Sequence, residues 1–445
     1  AYAIQGDAIN ALLHASWLYT QEADVDAFLA VTSIQMTDAQ TNALIAAYQS
    51  LDLSAEQQPF VMLASAILYR SIAELEIAEQ TVTEFLLLQP DNQSGLLLLA
   101  QLLHQQDRID EAAALIGDAL QRRPEDRKLR LQYARLLTIT NLQQAIIEFE
   151  ALRLEDPADQ EINFLLALLL HNQGQSDRAM GLFAQASQRP SLSADSQFHM
   201  GSITENRGDI TSAIKHYSQV RFGRNYLPAV SRLTVLLNQQ YGLSAARQNL
   251  RRLRAEQPEQ AVTLFQIESN LLVSLQKPEL AISILTDGLN SFPNDSQLLY
   301  ARSMVAERQD NFALAEQDLR TLISQDENNA SALNALGYSM VVHTDRQDEA
   351  YSLIKRAYLL NPGDPAIIDS MGWVLFKLGE LAQALEYLQK ALDMLPDPEI
   401  AAHLGEVQWV MGNPEAALKT WQQGLQQAPD HPIIVEAMDR LGATP

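Results

Sequence analysis

The sequence contains no cysteine and is short of basic residues, with 31 Lys and Arg against 55 Asp and Glu. The absence of cysteine excludes a disulfide framework, a thiolate nucleophile and a zinc–thiolate site. The formal net charge of −24 makes long-range attraction to phosphate backbones and anionic lipid headgroups unfavourable. We therefore predict that the chain does not bind nucleic acid.

Long hydrophobic runs and catalytic motifs are missing as well. No apolar run approaches the roughly 18 to 20 residues that a membrane span requires. The chain starts at Ala1, without Met and without a signal peptide, so it is expected to be either a processed form or a chain that lacks its leader. Any lipid-anchor cysteine would lie upstream. It contains no G-x-S-x-G, H-E-x-x-H, G-x-x-x-x-G-K-[ST] or G-x-G-x-x-G motif.

The titratable residues form no pattern that indicates chemistry. The 8 histidines are scattered, with no two of them three or four residues apart on one helix, so no helix offers a paired metal site. Carboxylates are abundant, but no pair has a spacing that singles it out for acid–base work. The sequence therefore predicts a protein that is not an enzyme and holds no metal or cofactor.

The stretch from Pro365 to Pro398 predicts a pair of helices. Asp364 can accept a backbone N–H at the start of the first helix, and Pro365 suits the first turn because its missing N–H costs nothing there. Apolar residues recur at helical spacing until Gly379, which can adopt the positive φ that ends a helix. A second apolar stripe follows and stops at Pro396. The second helix is expected to pack back on the first.

Small residues mark where these two helices approach each other closely, while a leucine fills the space between neighbouring hairpins. The residues concerned are Gly372, Gly379, Ala384, Leu388, Ala391 and Pro396. In type and spacing they resemble the Gly, turn, Ala, large, Ala and Pro positions of a tetratricopeptide repeat (TPR), whose period is about 34 residues.

The same pattern recurs along most of the chain. We predict tandem TPR units over residues 59–431, degenerate helices over 1–58 with apolar spacing at 8–19, 25–34 and 39–48, and a capping helix and tail over 432–445. A single unit cannot bury its faces, so neighbours must stack. The predicted fold is all-α, a TPR solenoid of about eleven helical hairpins, and the resemblance implies a right-handed superhelix with a concave inner wall.

The resemblance also places particular residues on that inner wall, through the positions of the first helix that line it in TPR units. Large aromatics there favour an amphipathic groove for an extended segment or a partner's helix. The alternative is that Trp373 and Trp409 pack between adjacent first helices as ordinary core. Trp421 falls at the inter-helix packing position and is expected to be structural. The candidate partner-binding residues are Asn334, Tyr338, Asp369, Trp373, Phe376, Lys377, Glu406 and Trp409.

A second candidate surface is electrostatic. Between Arg221 and Arg254 there are seven arginines and no Asp or Glu. Arg247, Arg251 and Arg254 fall on one helical stripe. One interpretation is a docking patch for an acidic partner surface. The other is a solvated helix face whose charge is balanced by acids on adjacent units.

Residues 294–441 resemble a narrower group, the bacterial TPR outer-membrane lipoproteins of the LbcA type. Three runs carry the resemblance: NALGYS from Asn334, NPGDPAIIDSMGWVL from Asn361 and PEIAAHLGEV from Pro398. Members of that group act as adaptors for the periplasmic carboxyl-terminal processing protease. The resemblance implies a periplasmic, outer-membrane-anchored scaffold that brings this protease together with its peptidoglycan-hydrolase substrates.

Bridging of this kind raises the effective concentration of one partner for the other without any chemistry in the scaffold. The main alternative is a TPR assembly factor for an envelope machine such as a pilus or a secretin. Membrane attachment is expected only through the upstream lipid anchor.

Overall fold

The computed structural model describes residues 36–50 and 58–443, and within these the secondary structure is helical throughout. The predicted all-α fold is confirmed for this part of the chain. The segment predicted at 39–48 lies in the first described helix, whereas those at 8–19 and 25–34 lie outside the described residues. The α-helices are α1 Asp38–Gln49, α2 Gln58–Ser71, α3 Leu75–Leu88, α4 Gln93–Gln105, α5 Ile109–Arg122, α6 Arg127–Thr140, α7 Leu142–Glu155, α8 Gln160–Asn172, α9 Ser176–Ala186, α10 Pro190–Asn206, α11 Ile210–Tyr217, α12 Tyr226–Tyr241, α13 Leu243–Glu256, α14 Ala261–Ser274, α15 Pro278–Ser291, α16 Ser296–Glu307, α17 Phe312–Gln325, α18 Ala330–His343, α19 Gln347–Leu360, α20 Pro365–Lys377, α21 Leu381–Met394, α22 Pro398–Val410, α23 Pro414–Gln427 and α24 Pro432–Leu441.

Helices α2 to α23 follow one another as eleven successive pairs, which we number as hairpins 1 to 11. In each pair the first helix is called the A helix and the second the B helix. The predicted number of hairpins is therefore confirmed over residues 58–427. A 3-10 turn at Pro258–Gln260 precedes the A helix of hairpin 7, and α24 follows the last hairpin.

Hairpin 10, formed by α20 and α21, shows how the sequence sets the helix ends. The carboxylate of Asp364 accepts a hydrogen bond from the backbone N–H of Ala366 at 2.9 Å, with Pro365 in the first turn. After α20 the chain turns at Gly379, whose φ is 86°. The second helix stops before Pro396, which cannot continue it. Each of these ends was predicted from the sequence.

The small residues of the hairpin allow its two helices to touch. A Cβ added to Gly372 would lie 2.6 Å from Cγ of Leu388 and 3.1 Å from the backbone oxygen of Ala384. Leu388 and Ala384 are themselves fully buried. Close packing of α20 on α21 therefore requires glycine at position 372.

By its internal contacts the chain forms two compact units, which divide between Tyr226 and Leu227. Unit 1 ends after α11, and unit 2 holds α12 to α24 apart from the first residue of α12. The boundary falls inside the predicted block of tandem repeats, and the division of that block at residues 58 and 431 stays a prediction. None of the described helices combines the length and the apolar composition needed to span a membrane.

Candidate functional site

The A helices of unit 2 form one layer. Contacts between neighbouring hairpins join A helix to A helix as well as B helix to the next A helix: α14 touches α16, α18 touches α20, and α20 touches α22. Since the A helices are the closely spaced layer, they line the inner side of this stack. We call their exposed surface the inner face of unit 2.

Two cavities lie on the inner face and share Tyr300. The first has a volume of about 440 Å³ and is lined by α14, the starts of α16 and α18, and Leu322 of α17. We call it the amide section, because side-chain amides and hydroxyls dominate its polar lining. The residues that define it are Gln266, Ser296, Gln297, Tyr300, Asn329 and Ser331.

The second cavity has a volume of about 400 Å³ and is lined by α16, α18, α20 and the start of α22. We call it the acidic section, because four carboxylates contribute to it. Arg308 also lies on its lining and is exposed. The residues that define the section are Glu307, Asn334, Tyr338, Asp369, Asp397 and Glu399. Three of the predicted inner-wall residues, Asn334, Tyr338 and Asp369, are therefore brought together here.

The polar groups of the acidic section are held by short internal hydrogen bonds. The hydroxyl of Tyr338 donates to Oε1 of Glu399 at 2.6 Å. Burial, followed by the nearby carboxylate of Glu399, raises the pKa of Tyr338, so the phenol stays a neutral donor. Asp397 caps α22 by accepting from the N–H of Glu399 at 2.8 Å. Glu307 faces the imidazole of His343 at 3.3 Å.

Asp369 forms a buried pair with His403 of the next A helix. The His403 Nδ1–H donates to both carboxylate oxygens at 3.0 Å. Burial by itself lowers the pKa of His403, but the charge and hydrogen bond of Asp369 outweigh burial, and the pKa is raised. The pair therefore joins α20 to α22, and Asp369 favours the protonated form of the imidazole.

Trp373 lies behind the acidic section in a stack of rings. Its indole is 4.1 Å from the imidazole of His403 and 5.2 Å from the ring of Phe376, centroid to centroid. The ammonium of Lys377 sits 4.4 Å above the indole. Trp373 is only 7% exposed, so it packs between adjacent A helices, which is the arrangement of the alternative interpretation. A role for Trp373, Phe376 or Lys377 in partner binding stays a prediction.

The last two predicted inner-wall residues lie nearer the end of the chain. Glu406 is buried and pairs with Arg440 of α24 at 2.6 Å. Trp409 is half-buried, 5.9 Å from the ring of Trp421. Trp421 is fully buried and donates its Nε1–H to the backbone oxygen of Ala402 at 3.1 Å, a packing position as predicted.

The predicted arginine stripe on α13 faces a buried acid of the next hairpin. Arg247 contacts Glu268 at 2.6 Å and Arg254 contacts it at 2.8 Å, and Glu268 is fully buried. A buried carboxylate is stable only when it is paired, so these two guanidinium groups are engaged inside the protein. The balancing acid comes from the adjacent hairpin, as the second interpretation expects, but this carboxylate is buried and not solvated. Arg251 is exposed, and docking of an acidic partner on this stripe stays a prediction.

Sequence reasoning missed several residues of the site, above all His403, Glu399 and Glu307. A usable signal was present for one of them, because His403 stands 34 residues after Asp369, which is one repeat period. The pair Glu406–Arg440 has the same separation. Across the described part of the chain, no group of three or more His, Asp or Glu side chains is arranged to hold a metal ion.

Comparison with known families agrees with the repeat geometry. Tetratricopeptide repeat models match residues 63–127 and 135–194 in unit 1 and residues 375–441 in unit 2. Among curated proteins, the TPR repeat-containing protein PA4667 of Pseudomonas aeruginosa is 43% identical over 205 residues, which are 46% of this chain and 35% of that protein.

The Bacteriophage adsorption protein A of Escherichia coli K12 is 29% identical over 119 residues, which are 26% of this chain and 12% of that protein. The chain therefore spans little more than a third of the first relative and far less of the second.

Among solved structures, a tetratricopeptide repeat protein from Parabacteroides merdae covers 56% of this chain at 16% identity with a TM-score of 0.43, over 99% of its own length. The thermophilic TPR protein TTC0263 of Thermus thermophilus covers 41% at 22% identity with a TM-score of 0.37, over 98% of its own length. Repeats of this kind form protein-binding scaffolds and typically carry no catalytic site. Tetratricopeptide repeat models thus match three segments of the chain, and its fold is that of a TPR solenoid.

Proposed function

We propose that this protein is a non-catalytic adaptor that binds an extended segment of a partner protein along the inner face of unit 2. The observation that carries the proposal is the pair of adjoining cavities on that face, with volumes of about 440 and 400 Å³ and Tyr300 common to both. Together they offer a continuous path across the A helices of hairpins 7 to 11.

The amide section suits the backbone of an extended chain. An extended peptide presents N–H donors and C=O acceptors alternately, and side-chain amides such as those of Gln266 and Gln297 can both donate and accept. Hydroxyls of Ser296 and Ser331 add the same dual capacity. Recognition of this kind depends little on the partner's side chains, so specificity has to come from elsewhere on the face.

For the cellular role we propose an adaptor at the periplasmic side of the outer membrane, anchored through a lipidated cysteine upstream. Its proposed partners are a carboxyl-terminal processing protease and that protease's peptidoglycan-hydrolase substrates. Support comes from the resemblance of residues 294–441 to adaptor lipoproteins of the LbcA type. Simultaneous binding would raise the effective concentration of substrate at the protease to the millimolar range.

The groove part of the proposal is tested by affinity purification from envelope extract with the wild-type protein and a Gln266→Ala/Gln297→Ala variant. We expect the double variant to recover less of each specific partner, because it loses backbone hydrogen bonds. Gln383→Ala, on the exposed side of B helix α21, is the matched control and should bind as the wild type does. Equal recovery by all three proteins would place the binding surface elsewhere.

The adaptor part is tested by identifying the partner and by titration. Recovery of a serine protease supports the adaptor role, whereas recovery of pilus or secretin subunits would favour an assembly factor. In a cleavage assay with the purified protease and hydrolase, cleavage should rise and then fall as scaffold is added, because excess scaffold separates the two ligands onto different molecules. Activation that keeps rising at large excess would contradict simple bridging.

A further inference from the structure

The acidic section of the inner face presents hydrogen-bond acceptors far in excess of donors. Four carboxylates line it, but that of Asp369 is engaged by His403. The carboxylates left to a ligand are those of Glu307, which faces His343, Asp397 and Glu399, against one exposed guanidinium, that of Arg308. Tyr338, the only phenolic donor on α18, already donates its hydrogen bond to Glu399. The hydroxyl of Ser370 donates to the backbone oxygen of Ala366 in its own helix. What a ligand meets here is therefore mostly oxygen lone pairs.

A second observation is independent of the carboxylates. Oδ1 of Asn334 lies in this lining, is shielded from solvent, and accepts no hydrogen bond. A buried polar atom without a partner destabilises a protein by roughly 1 to 3 kcal/mol unless something satisfies it. A rotation of the half-buried Asn334 side chain toward the cavity would let an N–H donor from a ligand supply the missing bond.

The remaining walls suit the stem of a long basic side chain. Met304, Leu395 and Ile400 line the same cavity, and methylene groups of lysine or arginine pack well against such surfaces while the charged head reaches polar groups. The exposed ring of Tyr300 at the junction with the amide section can also accept a cation over its face. A metal ion is not favoured, since no three ligating groups of the described chain converge.

We propose that the acidic section is a specificity pocket for a lysine or arginine side chain of the partner's extended segment. The inference rests on the proposed binding of such a segment along the inner face, with the amide section holding its backbone and the acidic section selecting its basic residue. Charge complementarity supports this occupant twice, through the local carboxylates and through a net charge of −24 that attracts basic partners over longer distances.

The test uses the full chain and a library of N-acetylated, C-amidated decapeptides with eight randomised positions. The wild type should enrich peptides that contain lysine or arginine. Glu307→Gln/Glu399→Gln should lose that preference, because both charges are removed while glutamine keeps an acceptor for Tyr338. The control, Glu386→Gln, removes the same charge from an exposed position on B helix α21 and should keep the preference.

The best peptide is then compared with an analogue carrying citrulline for arginine or norleucine for lysine, by fluorescence anisotropy. We expect the wild type to lose roughly 10-fold or more in affinity for the uncharged analogue, and the double variant to show little difference between the two peptides. Circular dichroism checks that the variant is folded. If it is not, Glu399→Gln alone serves as the second variant, with a smaller loss expected in the same direction.

The outcomes separate this inference from the function on which it rests. Peptides enriched without any basic preference, or with a preference that the double variant retains, would overturn the specificity pocket and leave the groove standing. Failure of every peptide to bind would contradict both the specificity pocket and the proposed binding of an extended segment along the inner face. Binding of spermidine to the wild type, without binding of any peptide, would also overturn the proposal.

Discussion

At the scale of single residues, the His403–Asp369 pair makes a pH-dependent contribution to stability. The folded-state pKa of His403 is raised above the unfolded value of about 6.5. A raised histidine pKa stabilises the fold fully below the unfolded pKa, and that stabilisation is lost as pH rises through the folded pKa. The contact between α20 and α22 is therefore expected to weaken as pH rises through the folded-state pKa of His403.

The measurement is hydrogen exchange of the α20 and α22 amides in the wild type and His403→Gln, between about pH 6 and 9, corrected for intrinsic exchange. The difference in opening free energy should be largest at about pH 6 and shrink as pH rises. His104→Gln, an exposed histidine on α4, is the control and should leave these helices unchanged. A difference that grows with pH would contradict the assignment.

Gly372 offers a second test at this scale. Gly372→Ala adds a Cβ that would lie 2.6 Å from Leu388, so we expect the free energy of unfolding to fall by about 1 to 3 kcal/mol. Thermal unfolding measures this as a lower midpoint. Gly181→Ala on α9 is the matched control, since a Cβ there meets no atom within 4 Å. Alanine at position 181 should be neutral or stabilising because of its better helix propensity. Equal effects of the two changes would contradict the close approach of α20 and α21.

Residues that belong to the repeat pattern could be predicted from the sequence, whereas residues outside that pattern could not. Gly372 and Gly379 belong to a pattern that recurs along most of the chain, so the close approach and the turn were predicted. Leu388 was predicted to fill the space between hairpins, but it packs against Gly372 within its own hairpin. His403 and Glu399 occur once, and only their partners reveal them. The pairing of His403 with Asp369 was hidden because the two positions are distant along the chain, although they are equivalent in successive A helices.

At the scale of the element, the hairpin of α16 and α17 carries a charged pair inside its core. The guanidinium of Arg302 binds the carboxylate of Asp318 at 2.7 and 2.8 Å and also donates to the hydroxyl of Thr286 at 2.9 Å. Asp318 is buried. This arrangement could not be predicted, because a single Arg or Asp on a surface helix is usually solvated.

Removing one member of this pair should lower the free energy of unfolding far more than removing both. Asp318→Leu leaves a buried cation unpaired, so we expect the free energy of unfolding of the hairpin to fall by about 3 to 5 kcal/mol. The double variant Arg302→Met/Asp318→Leu should recover most of that loss. Protection of the α16 and α17 amides against hydrogen exchange gives the readout.

The control for this experiment is an exposed pair in unit 1. Arg122 and Asp91 are 3.0 Å apart, with side chains 52% and 60% exposed. Asp91→Asn should change stability by about 1 kcal/mol or less. If Asp318→Leu were as mild as Asp91→Asn, the pair on hairpin 8 would be solvated in solution, contrary to its burial here.

At the scale of the whole molecule, the repeat period predicted eleven hairpins, but not the division into two compact units. The pattern continues without a break from Ala213 and Tyr217 to Ala246 and Leu250, so periodicity offers no boundary near Tyr226. The cavities of the inner face likewise could not be predicted from the sequence. Their shape depends on how side chains of four or five hairpins converge, which one-dimensional spacing does not encode.

Site-specific photo-crosslinking shows directly whether the inner face of unit 2 holds partner proteins. A photoreactive phenylalanine analogue is placed at Tyr300, where the two cavities meet, or at Gln383 on the exposed side of α21. After irradiation in intact cell envelopes, mass spectrometry identifies and quantifies the adducts. We expect one protein to be enriched many-fold at position 300 over position 383, joined through an extended segment that contains lysine or arginine. Equal adducts at both positions, or adducts at position 383 alone, would contradict it.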